Sequence, residues 1–253
     1  MNLATDSDLE QSTVVANRLM NRERRLAGYN RELGVDIAGV LRTTKTRPAR
    51  WLDLCCGSAT ALAEAAHLLG DDVEITGVDL VDFFACPPNP PRLHLITASA
   101  TTWHPASTAP DPGTELAATT ASGLATAHPD APYDLITCVH GLHYLGDKLA
   151  LLARIPGWLT DDGLFVANFD VHSIRLEDGT PAGRRLTSAL RSQGLAYDGR
   201  TRRIRCPGRR AINLPYRYLG ANDQAGPNYT GQPAVDSHYT EKPIAIPRTG
   251  DLS

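Results

Sequence analysis

Arg50-Trp51-Leu52-Asp53-Leu54-Cys55-Cys56-Gly57-Ser58-Ala59-Thr60-Ala61-Leu62-Ala63-Glu64 is the stretch whose reading decides the fold. A short apolar run leads into a turn of small residues and then into an Ala-rich segment of helical character. Such a strand–turn–helix start brings backbone N–H groups and a helix N-terminus close to a bound ligand. A second apolar run, Val73-Glu74-Ile75-Thr76-Gly77-Val78, ends in Asp79. A carboxylate there is placed to take the two hydroxyls of a ribose, so the two segments together predict a nucleoside ligand.

Outward from this start, apolar runs predict strands near 50–55, 73–79, 92–97, 133–139 and 163–169. Helical patterns fall near 58–69, 146–158 and 181–193. Strand–helix alternation means a parallel sheet with right-handed crossovers. The fold class expected is α/β: a Rossmann-like, doubly wound, mostly parallel sheet with an antiparallel edge strand and an N-terminal helical lid. Residues 8–42 read as helix, with Val14, Val15, Leu19 and Met20 as an apolar stripe and Gly28 and Gly34 dividing it in two. Pro87-Pro88-Asn89-Pro90-Pro91 forbids regular structure. Residues 104–132 form an insert in which 115–128 is either a weak helix or a loop. Tyr197–Cys206 and Ala211–Leu219 read as a hairpin joined by Pro207-Gly208, and 220–253 as an extended segment with its last ten residues prone to disorder. The boundaries expected are 1–46 for the lid, 47–219 for the main domain and 220–253 for the C-terminal segment.

The chain has 253 residues, 42% of them apolar and 21% charged, with a formal net charge of −3. This length can bury a full core in one domain. The polar, acidic start carries no secretory pattern, and no apolar run reaches the ~18 residues of a membrane helix. Five cysteines without a paired C-x-x-C predict reduced thiols rather than a disulfide framework or a thiolate zinc site. A cytoplasmic protein is expected.

The segment from Trp51 to Asp170 resembles the class I S-adenosylmethionine-dependent methyltransferases. The family's first motif is an acidic residue followed by alternating glycines; here it reads Asp53-Leu-Cys55-Cys-Gly57-Ser-Ala59, with Cys55 and Ala59 in place of the outer glycines. The residues fit S-adenosylmethionine on physical grounds too. That molecule carries a sulfonium and an ammonium group and no phosphate, whereas a dinucleotide wants the full G-x-G-x-x-G turn. Asp53 suits the amino-acid moiety, through water or backbone, and Asp79 the ribose; capping or turn carboxylates are the bland alternatives. Cys55, Gly57, Leu80 and Val139 are expected beside the cofactor. In the family a small-Asp-small sequence ends the third strand beside the adenine; in Leu95-Ile96-Thr97-Ala98-Ser99-Ala100 the resemblance assigns that place to Ser99 and Ala100.

Tyr133-Asp134-Leu135-Ile136-Thr137-Cys138-Val139-His140-Gly141-Leu142-His143-Tyr144-Leu145 resembles the family's fourth-strand motif. His140 and Gly141 should therefore line the space around the transferable methyl. A general base is needed only for a hydroxyl or a protonated amine, and histidine suits that task. His140 is the first candidate and His143 the second, with a packing role as the alternative for His143. The H-x-x-H spacing has no third ligand nearby, so no metal is expected. Tyr29, in the segment that folds over the cofactor in relatives, and Tyr144 are candidates to touch substrate.

Between Arg175 and Arg217 stand eleven arginines against Glu177, Asp178 and Asp198, an excess of +8. This is either a solvated face with an edge hairpin or an anion-binding surface. Few aromatics accompany the arginines and the pI is about 6.2, which makes nucleic acid an unlikely partner. The Gly/Pro-rich, aromatic stretch that follows places Tyr216, Tyr218, Asn228 and Tyr229 as candidate acceptor-pocket residues. The function expected is methyl transfer from S-adenosylmethionine to an O or N nucleophile of a small molecule or peptide, in specialised metabolism. The rivals are an RNA or protein methyltransferase and a non-catalytic S-adenosylmethionine-binding partner protein. Oligomeric state is not legible.

Overall fold

The computed structural model describes residues 3–15, 24–85, 90–105 and 132–242. Three short helices precede the sheet: α1 (Asp6–Glu10), α2 (Leu26–Leu33) and α3 (Ile37–Thr43). In α1 the Thr5 side chain accepts from Asp8 N–H while Asp8 reaches back to Thr5, a reciprocal cap that fixes one turn. Gly34 ends α2 in the left-handed conformation, φ 61°. Gly28, expected to break the helix, lies inside α2 instead. A single glycine costs a helix only ~1 kcal/mol, less than the burial of Leu26, Tyr29 and Leu33 returns.

The first strand, β1 (Ala49–Leu54), is buried along its whole length. A strand covered on both faces is rich in apolar residues, and Ala49, Trp51, Leu52 and Leu54 make it legible around the buried Arg50 and Asp53. It leads through α4 (Thr60–Leu69) to β2 (Val73–Asp79) and β3 (Leu93–Thr97). Then come β4 (Tyr133–Cys138), α5 (Lys148–Arg154), β5 (Leu159–Asn168), the short β6 (Ile174–Leu176), α6 (Gly183–Ser192), β7 (Ala196–Asp198) and β8 (Arg203–Pro207). The seven-stranded order is β3-β2-β1-β4-β5-β8-β7, with β3 to β5 parallel and β8 antiparallel to both β5 and β7. Chain order reverses between β1 and β4, the switch point at which open α/β sheets hold ligands.

Side-chain parity sorts the two faces. Trp51 and Leu135 join the core made with α2, α3 and α4, whereas Leu52, Leu54, Ile136 and Cys138 join the core made with α5 and α6. Asp53 shares the face of Trp51 and so points at α2.

The C-terminal region departs from the expected arrangement. The hairpin is β7–β8, and Pro207-Gly208 leads out of it instead of joining its strands. The next strand, β9 (Tyr216–Asn222), runs across the boundary expected at 219 and pairs with β10 (Asp236–Glu241), which pairs with β6 in a separate three-stranded sheet. The described part of 220–253 is therefore not only an extended tail: 220–222 and 236–241 lie in strands. Ala4 pairs with Ala221 through two backbone bonds, 2.8 and 3.0 Å, so this sheet anchors the N-terminal segment. Buried Lys148 ties it to the main domain, donating to Val235 O at 2.7 Å and Ser237 Oγ at 2.6 Å. The 115–128 alternative, Leu19, Met20 and the last ten residues lie outside the described residues. Among the described residues, no helix is long and apolar enough to cross a membrane.

Many of the arginines act inside the molecule. Arg203 donates to Glu32 O and Arg31 O at 2.7 and 2.8 Å, and Arg205 to Leu33 O and Gly34 O at 2.9 Å each. They satisfy the carbonyls that the end of α2 leaves without intrahelical donors. Arg175 pairs with Asp236 at 2.7 Å and Arg202 with Asp170 at 2.8 Å.

Asp53 is fully buried and accepts from Tyr29 Oη at 2.8 Å and from the Thr137 hydroxyl, which in turn accepts from Trp51 Nε1 at 2.8 Å. Burial lifts its carboxyl to about 7, against the two hydroxyl donors that favour the ionised form. The folded state thus keeps a proton that the unfolded chain releases near pH ~4, so this group lowers stability as pH rises to about 7 and has no further effect above. Relative to Asp53→Asn, the wild type should lose on the order of 2–4 kcal/mol across that window in urea unfolding. Stability curves that stay parallel throughout would contradict this account.

Candidate functional site

Cys55, Gly57 and Ala59, at alternate positions after β1, each have φ 59°. Only glycine adopts this conformation freely; another residue costs roughly 1–2 kcal/mol. Interactions that outweigh the cost converge on the turn. Cys56 N–H donates to Val78 O at 3.1 Å and Ala59 N–H to Cys56 O at 3.1 Å. Gly57 N–H donates to Asp79 Oδ2 at 2.8 Å, while Val81 N–H donates to Asp79 Oδ1 at 3.1 Å. Asp79 is therefore a brace between the ends of β1 and β2. Burial raises its pKa and these backbone donors lower it, the burial dominating. Each oxygen still has acceptor capacity toward a ligand hydroxyl.

Above the turn lies an open-sided cavity. Of the sequence-predicted cofactor residues, Cys55, Gly57, Asp79, Leu80, Ser99, Ala100, Val139 and His140 all line it. Asp53 does not: its carboxylate lies beneath, engaged by Tyr29 and Thr137, and reaches the cavity through the Tyr29 ring. Tyr29 and Tyr144 also line it. The sequence points to an N-terminal lid and to Tyr29, but not to Asp6, Leu9, Glu10 and Arg24, which complete the wall. Glu10 accepts from Ser99 Oγ, so the hydroxyl assigned to adenine already has a carboxylate partner. The capping box at Thr5 and Asp8 was the available signal that this segment is ordered.

His140 sits just past β4 in the left-handed region, φ 60°, and its Nε2 is 3.3 Å from Glu32 Oε2. Burial pulls its pKa below the usual imidazole value, Arg24 lowers it further, and Glu32 opposes both. His143 is 1% exposed, outside the cavity lining, with Nε2 3.3 Å from Tyr229 Oη. Burial foremost takes its pKa down to about 3, so it is neutral and packed. A separate, more open cavity lies against His143, Asn228 and Tyr229, with Arg202 stacked 4.2 Å from the Tyr229 ring centre. Tyr216 and Tyr218 reach neither cavity. Tyr216 packs edge-on against Tyr239 at 6.4 Å, and Tyr218 Oη donates to Asp6 Oδ1 at 2.8 Å. Their sequence context, polar and Gly/Pro-rich, signalled a binding loop where the chain forms the anchoring sheet.

Gly141 lets the β4 loop close on the turn. A Cβ there would fall against Cys55, 2.6 Å from its Sγ, and 2.8 Å from Cys138 Sγ. Gly141→Ala should therefore destabilise the protein by about 1–3 kcal/mol in urea unfolding. In a Cys55→Gly background the same change should cost at least about 0.5 kcal/mol less. Strictly additive effects would show that the two loops do not press on each other.

A family model described as a methyltransferase domain matches residues 21–204, nearly three quarters of the chain. No curated protein matches. Among solved structures, CalS10, an amino pentose methyltransferase from Micromonospora echinaspora involved in calicheamicin biosynthesis, is 16% identical, covering 61% of this chain and 55% of its own with a TM-score of 0.38. The plantazolicin methyltransferase BpumL in complex with SAH is 16% identical, covering 78% of this chain and 62% of its own at a TM-score of 0.42. The sugar N-methyltransferase KedS8 from a Streptoalloteichus species is 17% identical over 52% of this chain and 45% of its own, TM-score 0.35. The chain spans less than two thirds of each of these neighbours, and likeness at this level fixes neither substrate nor reaction. The matched span runs from the N-terminal helices into β8 and includes the turn after β1, the Asp79 brace and the His140 loop: the chain belongs to the class I S-adenosylmethionine-dependent methyltransferase family.

Proposed function

We propose that this protein transfers a methyl group from S-adenosylmethionine to an oxygen or nitrogen nucleophile of a small molecule or peptide in specialised metabolism. The observation that carries this reading is the chemistry of the cavity at the switch point. Its described charged lining consists of the carboxylates Asp6, Glu10 and Asp79 and a single cation, Arg24. A pyrophosphate would meet carboxylates there; a sulfonium and an ammonium group meet favourable charge, and Arg24 suits the ligand's carboxylate. Asp79 would hold the ribose hydroxyls, Ser99, Ala100 and Leu80 the adenine end, and the turn at Cys55 and Gly57 the amino-acid end. The Asp53 carboxylate would act through Tyr29, whose ring it fixes against the cavity.

Bound there, S-adenosylmethionine supplies an activated methyl group, so the protein's own work is to align an acceptor and exclude water. The N-terminal segment, pinned to β9, is placed to exclude water over the cavity. His140 stands where an acceptor proton has to leave. Burial keeps its imidazole neutral at physiological pH, the form that accepts a proton. His143, buried behind it, serves as packing in this reading. Asn228 and Tyr229 would border the approach of the acceptor on the far side of His143. The internal engagement of Arg175, Arg202, Arg203 and Arg205 weighs against an arginine surface that grips RNA.

Calorimetry with S-adenosylhomocysteine should show one site per chain. Asp79→Ala should weaken it about 10- to 100-fold, and His140→Ala should leave it nearly unchanged. With methyl-labelled S-adenosylmethionine and a cellular extract, label should enter low-molecular-weight products and be lost in His140→Ala. Label recovered in RNA or protein would support the macromolecular rival; tight binding with no label transferred at all would support the non-catalytic partner.

A further inference from the structure

Glu32 has no part in the sequence motifs, yet the fold brings it to His140 from 108 residues away. One side chain brackets the two backbones. Asn168, at the end of β5 and 2% exposed, accepts His140 N–H on Oδ1 at 3.3 Å and donates from Nδ2 to Glu32 O at 3.4 Å. Arg203 holds the same Glu32 carbonyl from outside at 2.7 Å. With both backbones fixed, Glu32 Oε2 meets His140 Nε2 at 3.3 Å. An ionised carboxylate only accepts, so the hydrogen in this contact belongs to Nε2, and the neutral ring then carries its lone pair on Nδ1. That Nδ1 is buried and without a hydrogen-bond partner among the described residues, on a ring that lines the cofactor cavity. A buried acceptor left unsatisfied is costly, and a molecule bearing a hydrogen at that point relieves it.

We infer that Glu32 is a positioning residue that fixes His140 as its Nε2–H tautomer, so that Nδ1 takes a proton from the methyl acceptor. The inference deepens the methyltransferase reading and rests on it. It also narrows the acceptor to one that must lose a proton, a hydroxyl or an ammonium group, and excludes a thioether or tertiary amine. The acceptor atom bonds to the methyl carbon as the carbon–sulfur electron pair returns to sulfur. The acceptor's proton passes to Nδ1, and the resulting imidazolium faces the Glu32 carboxylate. The other titratable groups around this ring are Arg24 in the N-terminal segment, His143 on the same loop and Tyr229 on the β9–β10 connection. Of these neighbours Glu32 is the one carboxylate.

The test is nitrogen NMR of the ¹⁵N-labelled full-length protein with S-adenosylhomocysteine bound, comparing wild type, Glu32→Gln and Glu32→Ala. Wild-type His140 should carry its hydrogen on Nε2. Glu32→Gln can still accept that hydrogen but has no charge, so it should keep the tautomer and lower the His140 titration midpoint by roughly half a unit to one unit. Glu32→Ala should release the ring to a mixture of tautomers. A hydrogen on Nδ1 in the wild type, or an unmoved midpoint in a folded Glu32→Gln, would overturn the inference. Calorimetry on the same samples separates the two readings: Glu32 is not part of the cavity lining, so S-adenosylhomocysteine should bind all three alike. Failure of the wild type to bind it would instead sink the parent reading.

Discussion

Three left-handed residues in five, Cys55, Gly57 and Ala59, are the constraint on which the site depends. A chain leaving a buried strand in that conformation must turn sharply and expose backbone N–H groups. Two of the three positions carry side chains that resist it. The conformation survives because Asp79 takes the Gly57 N–H on one oxygen and anchors its own loop with the other. The carboxylate proposed to grip the ligand's sugar is thus also the group that shapes the cradle. Cys55 in place of glycine fills space at the mouth of β4, and the neighbouring loop yields by having glycine at position 141.

The two faces of the sheet divide the remaining labour. On one, Asp53, Thr137, Trp51 and Tyr29 form a buried polar chain that fixes α2 against β1 and β4. Because α2 also carries Glu32, the same packing sets the distance to His140. On the other face α5 and α6 close an apolar core, and Lys148 at the start of α5 fastens the small sheet. That sheet holds residues 3–10 over the cavity through Ala4–Ala221 and Tyr218–Asp6.

The legible parts of the sequence were those where a single local pattern had one physical cause. Strands β1, β2 and β4 are buried on both faces and rich in apolar residues despite Arg50, Asp53, Glu74 and Asp134; the small residues at 55–59 mark the turn, and Asp79 lies where the next strand ends. The reading placed eight of the expected cofactor residues in one cavity. It missed what depends on distant partners. The strand character of 211–219 is legible but its partner is not: β9 pairs with β10 across a Gly/Pro-rich connection, and β10 with the three-residue β6 from another part of the chain. Arg203 and Arg205 look like surface charge until the end of α2 is seen to lie against them. Glu32 carries no motif; only the fold brings it to His140. Tyr216 and Tyr218 were read as a binding loop because aromatic residues among glycines look alike in a loop and in an edge sheet.

The central claim is that the cradle after β1, braced by Asp79, receives the adenosyl group of S-adenosylmethionine. A crystal structure of the protein with S-adenosylhomocysteine tests it most directly. The account requires both ribose hydroxyls within hydrogen-bond reach, about 2.6–3.2 Å, of the Asp79 carboxylate, with the sulfur facing His140. Density for the ligand elsewhere, or a sugar turned away from Asp79, would contradict it.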